Sequence, residues 1–175
     1  MKILAITLGF LFISIPAFTQ TLTLNELLRF RQMVQPEVNK KLSFRGWTFV
    51  SDTKPDSVTM GKAVWAFNPI GETATAWCIL FYSNSLPSRI MYNSNGGTPI
   101  KTIQQKIRNR KMEVIAEGTT LPGTANLETY QDFADNLYVI RLLKYNQPGN
   151  QGIKIYLKED YLKNNRKDTP ISSYR

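Results

Sequence analysis

In the first half of the chain, apolar residues first recur at helical spacing. They then occur in continuous or alternating runs, which are typical of strands. One helix is predicted at about Leu24 to Met33, and a second opens at Pro36 with Val38 and Leu42 on one face. Gly46 ends the second helix. The stretches "WTFV", "KAVWAF", "TATAWCILFYS" and "RIMY" then indicate four strands separated by turn residues.

The same order of elements follows a second time. A helix is predicted to start at Thr98 and Pro99, with Ile100, Ile103 and Ile107 at helical spacing. After it, "MEVIAE", "LYVIRLLKY" and "GIKIYLK" have strand character, and "LETYQ" is an element of uncertain type. The chain therefore has the order helix, four strands, helix, four strands, with one extra helix in front.

An offset of about 63 to 65 residues aligns the two halves. At the larger offset Trp47 matches Met112 and Trp65 matches Tyr130, and at the smaller one Tyr82 matches Tyr145. Val38 with Ile103, Leu42 with Ile107, and Ile90 with Ile153 are further matches. We predict an α+β fold in which a tandem helix-β-β-β-β repeat forms one antiparallel sheet with helices on one face. The halves span about 36–93 and 99–158 of a single domain at 20–162, followed by a basic flexible tail at 163–175.

The first nineteen residues have the pattern of a secretory signal peptide. Lys2 supplies a positive charge, an apolar run follows to Phe18, and Pro16 precedes small residues. Because this run is shorter than the ~20 residues of a membrane-spanning helix, we expect cleavage between Thr19 and Gln20 and a periplasmic or secreted protein that is not a lipoprotein. An uncleaved anchor is the alternative.

A folded domain is predicted to begin directly after this cleavage point. Thr23 and Glu26 have the spacing of a capping box, in which each side chain satisfies a backbone N–H at the start of a helix. Leu22 and Leu27 occupy the positions of a hydrophobic staple around that box.

The composition restricts the chemistry open to this chain. It has a net charge of +9, which favours anionic partners, although the charge also serves solubility. There is one cysteine and no histidine, so an internal disulfide is impossible and the usual neutral-pH base is absent. Cys78 lies in an apolar strand and is predicted to be buried and inert. Catalytic, phosphate-binding and metal-binding motifs are absent from the sequence, and no cofactor is expected.

Three short motifs carry a resemblance to known proteins. They are Gly46-Trp47-Thr48-Phe49, Trp65-Ala66-Phe67 and the late tyrosine strand from Ile153 to Tyr156. With the N-terminal helix, this layout resembles small exported proteins of Bacteroidetes-type bacteria, which implies export but no particular activity. The helix and strand order is also similar to that of the β-lactamase inhibitor proteins, by topology only. Those inhibitors contain disulfides that one cysteine cannot reproduce, and no functional residue is carried over.

Strand alternation and the repeat offset together predict a binding face. We expect Trp77, Ile79 and Phe81 to pack under the helices, which leaves the opposite face of the sheet mixed in character rather than plainly polar. Tyrosine and arginine among aliphatic residues are typical of protein-recognition surfaces. The predicted binding residues are Tyr82, Arg141, Tyr145, Lys154, Tyr156 and Lys158. The alternative is that loops such as Leu121 to Asp135, or a second copy of the chain, cover this face.

The expected function is an exported, non-enzymatic binding module. Its partner would be a protein or an anionic envelope component such as a glycan or a lipid surface, and an inhibitor or immunity protein is a special case. Nucleic acid is not expected, and a homodimer through the sheet face is a further option. The alternative function is an envelope-associated hydrolytic enzyme that uses Glu128, Asp132 and Asp135, of which the first two would share a face if the segment were helical.

Overall fold

The computed structural model describes residues 21–96 and 98–168 of the chain. The predicted signal peptide, its cleavage point and residues 169–175 lie outside the described residues. None of the described helices is long and apolar enough to cross a membrane.

The described residues form four helices and eight strands. The helices are α1 (Leu24–Phe30), α2 (Gln35–Ser43), α3 (Thr98–Asn109) and α4 (Lys158–Asp168). The strands of the first half are β1 (Trp47–Thr53), β2 (Gly61–Phe67), β3 (Ala76–Tyr82) and β4 (Arg89–Asn95). Those of the second half are β5 (Glu113–Gly118), β6 (Leu127–Ala134), β7 (Tyr138–Tyr145) and β8 (Asn150–Leu157).

All eight strands belong to one antiparallel sheet in the order β1-β2-β3-β4-β8-β7-β6-β5. Each half is a meander of four strands, and the two halves meet where β4 pairs with β8. At this junction Met91 lies opposite Lys154, Ile90 opposite Ile155 and Tyr92 opposite Ile153. That register makes Ile90 the counterpart of Ile153, as predicted, about a local two-fold axis through the Met91–Lys154 pair. The predicted α+β fold with a tandem repeat is confirmed.

The two halves also share backbone irregularities. The first strand of each half carries a β-bulge, between Phe49 and Ser51 in β1 and between Val114 and Ala116 in β5. Just before each of these strands one residue has a positive φ, Gly46 at 80° and Lys111 at 53°. A bulge re-aims the strand that contains it, so both meanders turn at equivalent positions.

The core lies between one face of the sheet and helices α1, α2 and α3. Its helical members include Val38, Leu42, Ile103 and Ile107, the positions at which the repeat was predicted to match. Trp65 lies at its centre, and its indole N–H donates to Asn39 Oδ1 of α2 at 2.9 Å. The strand residues of the cluster include Cys78, Leu80, Ile90, Tyr92, Ile140, Ile153 and Ile155. We call this side of the sheet the helix face.

Helix α1 begins as the sequence predicted. The Thr23 hydroxyl accepts a hydrogen bond from the Glu26 N–H at 3.3 Å, and the Glu26 carboxylate accepts one from the Thr23 N–H at 2.8 Å. Leu22 and Leu27 are both fully buried in the core. Arg45 donates to the free oxygen of Glu26 at 2.7 Å, which ties the end of α2 to the start of α1. These contacts satisfy backbone groups at the start of the helix, as the capping box predicted.

The C-terminal segment differs from its prediction. The last strand was predicted to run to Lys158 and a flexible tail to start at 163, but helix α4 occupies Lys158–Asp168. This helix packs on β7 and β8, on the side of the sheet opposite α1, α2 and α3. The extra helix matters for function because it covers part of the face that was predicted to bind a partner.

Candidate binding face of the sheet

The strand register decides which side chains share the face opposite α1, α2 and α3, which we call the open face. Residues on this face alternate with core residues along each strand. One line of neighbours crosses the sheet through the local two-fold axis: Val64, Ile79, Met91, Lys154, Arg141 and Asp132. A second line, one step along the strands, comprises Ala66, Trp77, Asn93, Gly152, Leu143 and Tyr130.

Strand β3 faces the opposite way from its prediction. Cys78 pairs with Tyr92, and Ile140 pairs with Ile155, so Cys78 rather than Trp77 is the counterpart of Ile140. A slip of one residue in the alignment of the halves therefore exchanged the two faces of this strand. Trp77, Ile79 and Phe81 lie on the open face, not under the helices.

Tyr82 consequently lies on the helix face, and its prediction as an open-face binding residue is wrong. It packs against the core, and its hydroxyl donates to Asp52 Oδ1 at 2.6 Å. The predicted match of Trp65 with Tyr130 also fails, because Trp65 pairs with Cys78 whereas Phe133 pairs with Ile140. Phe133 is thus the counterpart of Trp65.

Arg141 is on the open face as predicted, but it is held in a buried ion pair. Its Nε and Nη2 atoms each donate to a different oxygen of Asp132, both at 2.7 Å. Asp132 is fully buried, and it also accepts a hydrogen bond from the Tyr161 hydroxyl of α4 at 2.7 Å. Burial opposes the charge on Arg141, but the hydrogen bonds to Asp132 and the charge interactions with Asp132, Tyr156 and Tyr161 together outweigh it and hold the pKa of Arg141 above its ordinary value. The pair thus anchors α4 to β6 and β7.

Arg89 and Asp160 make a second pair of the same kind. Arg89 Nε and Nη2 donate to the two oxygens of Asp160 at 2.7 and 3.1 Å, which joins β4 to α4. Between the two pairs lies the Tyr156 ring, packed edge-on against Tyr161 with 5.6 Å between centroids. Burial raises the pKa of Tyr156 to about 12. Tyr156 is therefore on the open face as predicted, but α4 covers it.

Lys154 lies at the boundary of the region that α4 covers. Its Nζ is 4.5 Å from the Phe81 ring centroid and 5.4 Å from that of Tyr156, and no carboxylate of the described residues lies within ion-pair distance. Burial, followed by the positive charges of Arg89 and Arg141, lowers the pKa of Lys154 from 10.5 to about 8. The cluster holds three cations and two carboxylates, and each carboxylate is bound by an arginine. Lys154 is the cation left for another anion.

The middle of the first half of the open face is apolar, with Lys62 and Arg89 on either side of Phe81. Trp77, Ile79, Phe81 and Met91 are half-buried on β3 and β4, and Val64 is buried beside them on β2. Helix α4 packs on β7 and β8 instead. A sheet face in contact with water normally carries polar residues. We call this apolar surface, together with Lys154, the Phe81–Lys154 patch.

The last two predicted binding residues lie outside this patch. Tyr145 is on the open face at the far end of β7, where its hydroxyl and Asn93 Oδ1 are 3.4 Å apart. Lys158 is the first residue of α4, and its Nζ donates to the Asp135 carbonyl at 2.9 Å. It fixes the turn between β6 and β7 rather than presenting a charge on the final strand.

The three carboxylates of the predicted enzyme site do not converge. Their segment is strand β6 and the turn after it, not a helix. Glu128 pairs with Lys144 at 2.6 Å, Asp132 is enclosed by Arg141, and Asp135 accepts N–H bonds from the turn that follows it. No group of histidine, cysteine or acidic side chains in the described part of the chain could hold a metal ion. The geometry gives no acid/base pair here.

A groove of about 710 Å³ lies away from the sheet, between α1 and α2. Its lining carries both signs of charge: Glu26 and Glu37 on one side of the balance, and Arg29, Lys40, Lys41 and Arg45 on the other. We consider it a weaker candidate than the open face, because its charges balance in part.

Sequence reasoning missed the apolar residues of β3 and the whole contribution of α4. Both sides of β3 are apolar, with Trp77 and Phe81 on one and Cys78 and Leu80 on the other, so alternation alone could not orient it. A usable signal was the match of Ile90 with Ile153. This match fixes the junction between the halves, and the junction in turn determines which side chains of β3 lie on each face of the sheet. For α4, the available signal was the pair Asp160 and Tyr161, which places an acidic and an aromatic residue next to each other in a mostly polar segment.

Comparisons with known proteins give no relative. The chain matches no known protein-family profile, and neither the curated proteins nor the solved structures include a significant match to it.

Proposed function

We propose that this protein is an exported, non-enzymatic binding module that recognises an acidic protein surface through the Phe81–Lys154 patch. The observation that carries the proposal is the placement of Lys154. Its half-buried ammonium group has no carboxylate partner among the described residues and lies beside half-buried aromatic and aliphatic side chains. Leaving such a charge unpaired costs stability, and an incoming carboxylate would offset that cost.

The surrounding residues suit a protein partner. Phe81, Trp77, Ile79 and Met91 supply apolar area on two adjacent strands, and protein interfaces are enriched in aromatic residues and methionine at their centres. The net charge of +9 steers acidic partners toward the chain before contact. Within the patch, Lys154 would then bind one carboxylate in a place from which water is largely excluded.

The two ion pairs next to Lys154 support its position. Arg89 and Arg141 are fixed by Asp160 and Asp132, and both place positive charge near Lys154. These arginines are therefore expected to support the site rather than to contact the partner. This is a change from the sequence-based prediction, in which Arg141 was a direct contact. The proposed contacts are Trp77, Ile79, Phe81, Met91 and Lys154.

The test is quantitative capture of partner protein from envelope extract by the chain from residue 20. Ile79→Glu places a like charge in front of an acidic partner and should reduce capture by about tenfold or more. Val114→Glu is the matched control, because Val114 is an exposed apolar strand residue outside the open face. Equal capture by both variants, each shown to be folded, would contradict the proposal.

Two further arms of this experiment separate other occupants. Capture of extracted lipid or polysaccharide in place of protein would refute the partner class. Sedimentation of the purified chain tests a homodimer through the open face, and dimerisation that Ile79→Glu abolishes would replace the acidic partner with a second copy. The enzyme alternative has no geometric support, because Glu128, Asp132 and Asp135 have separate partners.

A further inference from the structure

A polar cleft lies at the end of the open face that is far from α4. It has a volume of about 510 Å³ and is enclosed by the β2–β3 and β5–β6 loops, the end of β4 and the β7–β8 turn. The open-face side chains Trp77, Asn93 and Tyr145 line it. Such a volume is within the range of small-molecule sites, whereas the lining differs from the mainly apolar one that those sites usually have.

The lining is rich in carboxamide side chains. They are Asn93, Asn95, Asn126, Gln147 and Asn150. Glu72 is the one charged residue of this lining, so the cleft lacks the cations that an anionic ligand requires. A carboxamide both donates and accepts hydrogen bonds, and a hydroxyl group does the same. The chemistry of the cleft is therefore matched to a neutral ligand with many hydroxyl groups.

Part of this hydrogen-bonding capacity is unused within the protein. The side chains of Asn95 and Asn126 and the indole N–H of Trp77 make no hydrogen bond with the described residues. A ligand with hydroxyl groups would bond to these three groups without displacing a partner within the described residues. Gln151 also borders the cleft, but its side chain alternates with Gly152 and lies on the helix face, so it is not counted among these groups.

The walls of the cleft are tied together by backbone hydrogen bonds. The Gly96 N–H donates to the Gly149 carbonyl at 2.9 Å, and the Asn146 N–H donates to the Asn126 carbonyl at 2.8 Å. Gly152 leaves the space that the Asn93 carboxamide occupies, since a Cβ added there would clash with Asn93 Oδ1. The site is thus largely formed before a ligand arrives, which lowers the entropy cost of binding.

We propose that this cleft binds a neutral oligosaccharide. The carboxamides would bind its hydroxyl groups, and Trp77 and Tyr145 would supply the apolar surface for the C–H faces of the sugar rings. Trp77 borders both the cleft and the Phe81–Lys154 patch, but Ile79, Phe81, Met91 and Lys154 are not part of the cleft lining, so the two sites can be tested separately. A binding module with both surfaces would attach to an envelope polysaccharide at one end and to a protein at the other.

The tryptophans provide a direct assay. Trp47 and Trp65 are buried at 3% and 0% exposure, whereas Trp77 is half-buried in the cleft wall, so acrylamide quenching of emission reports mainly on Trp77. The probes are hexamers of α-1,4-glucose, β-1,4-glucose and β-1,4-N-acetylglucosamine at millimolar concentration, with tetraglycine as a peptide probe. At least one hexamer should protect Trp77 from quenching, and tetraglycine should not. Protection by no hexamer, or by tetraglycine alone, would overturn the proposal.

Variants locate the bound sugar by calorimetry. Asn93→Ala and Asn126→Ala should each weaken binding of the protecting hexamer by about threefold or more, as the loss of one hydrogen bond does. Asn84→Ala is the matched control, because Asn84 is an exposed amide in the β3–β4 loop at the other end of the strand. Ile79→Glu should leave saccharide binding intact while it reduces protein capture, which separates this proposal from the proposed function. Unchanged affinity in both cleft variants would refute the site.

Discussion

Arg141→Ala should mainly destabilise the fold, and this change distinguishes a structural arginine from a binding hot spot. The side chain of Arg141 is 14% exposed and that of its partner Asp132 is 0% exposed, so the substitution leaves a carboxylate buried without its counter-charge. Removing one member of a buried pair costs about 3–5 kcal/mol. The remaining Tyr161 hydrogen bond to Asp132 should keep the loss toward the lower end of that range.

The loss is measured as the free energy of unfolding in urea, by linear extrapolation. Asp132→Asn and the double variant complete a thermodynamic cycle, in which we expect a coupling of about 1.5–3 kcal/mol between the two residues. The matched control is Lys144→Ala, since Lys144 pairs with Glu128 on the surface of the same strand and should cost below about 1 kcal/mol.

A different result would refute the structural role. If Arg141→Ala unfolds within about 0.5 kcal/mol of the wild type but loses partner capture, Arg141 is a direct contact as the sequence first suggested. In that case α4 does not depend on the Asp132 pair, and the open face must be larger than the Phe81–Lys154 patch.

Three other variants test separate parts of the structure. Lys154→Met should be more stable than the wild type at pH 7 by about 1 kcal/mol, because the charged form of Lys154 is disfavoured in the fold. The pKa of Lys154 is about 8 in the folded chain and 10.5 in the unfolded chain, so the unfolded chain binds more protons between these two pH values. The wild type therefore gains stability as the pH rises through this range, and the stability advantage of Lys154→Met should shrink. A difference in urea unfolding that does not change with pH would contradict this. Lys111→Gly should raise the melting temperature through relief of about 0.5–1 kcal/mol of strain, since Lys111 has a positive φ where the first half has Gly46, and a lower melting temperature would count against it. Cys78, whose pKa burial raises, should react with a thiol reagent only after denaturation, and rapid labelling of the native chain would show that the β3 assignment is wrong.

Local sequence patterns were enough to predict the first three helices and the order of most strands. The capping box at Thr23 and the helical spacing of Ile103 and Ile107 depend on residues close in sequence, and the structure places each of them as predicted. The equal order of strands in the two halves followed from the repeat. These features need no knowledge of long-range pairing, which is why the fold class could be predicted.

The facing of β3 and the role of α4 depend on long-range contacts instead. Both sides of β3 are apolar, so its orientation is set by pairing with β4, and β4 in turn by β8. The buried pairs of α4 join residues far apart in the chain, such as Arg89 with Asp160. The polar cleft likewise forms from four separate segments. A single sequence carries little information about which of these segments meet.

The most direct test of the Phe81–Lys154 patch is amine labelling of the unmodified chain, read residue by residue by mass spectrometry, with and without the envelope fraction that it captures. The low pKa of Lys154 makes it reactive near pH 8, and Lys101 on the exposed side of α3 serves as the internal reference. We predict that the captured partner reduces labelling of Lys154 by about fivefold or more, as expected for a desolvated contact, and leaves Lys101 unchanged. Labelling of Lys154 at the same rate with and without bound partner would contradict the proposed binding face.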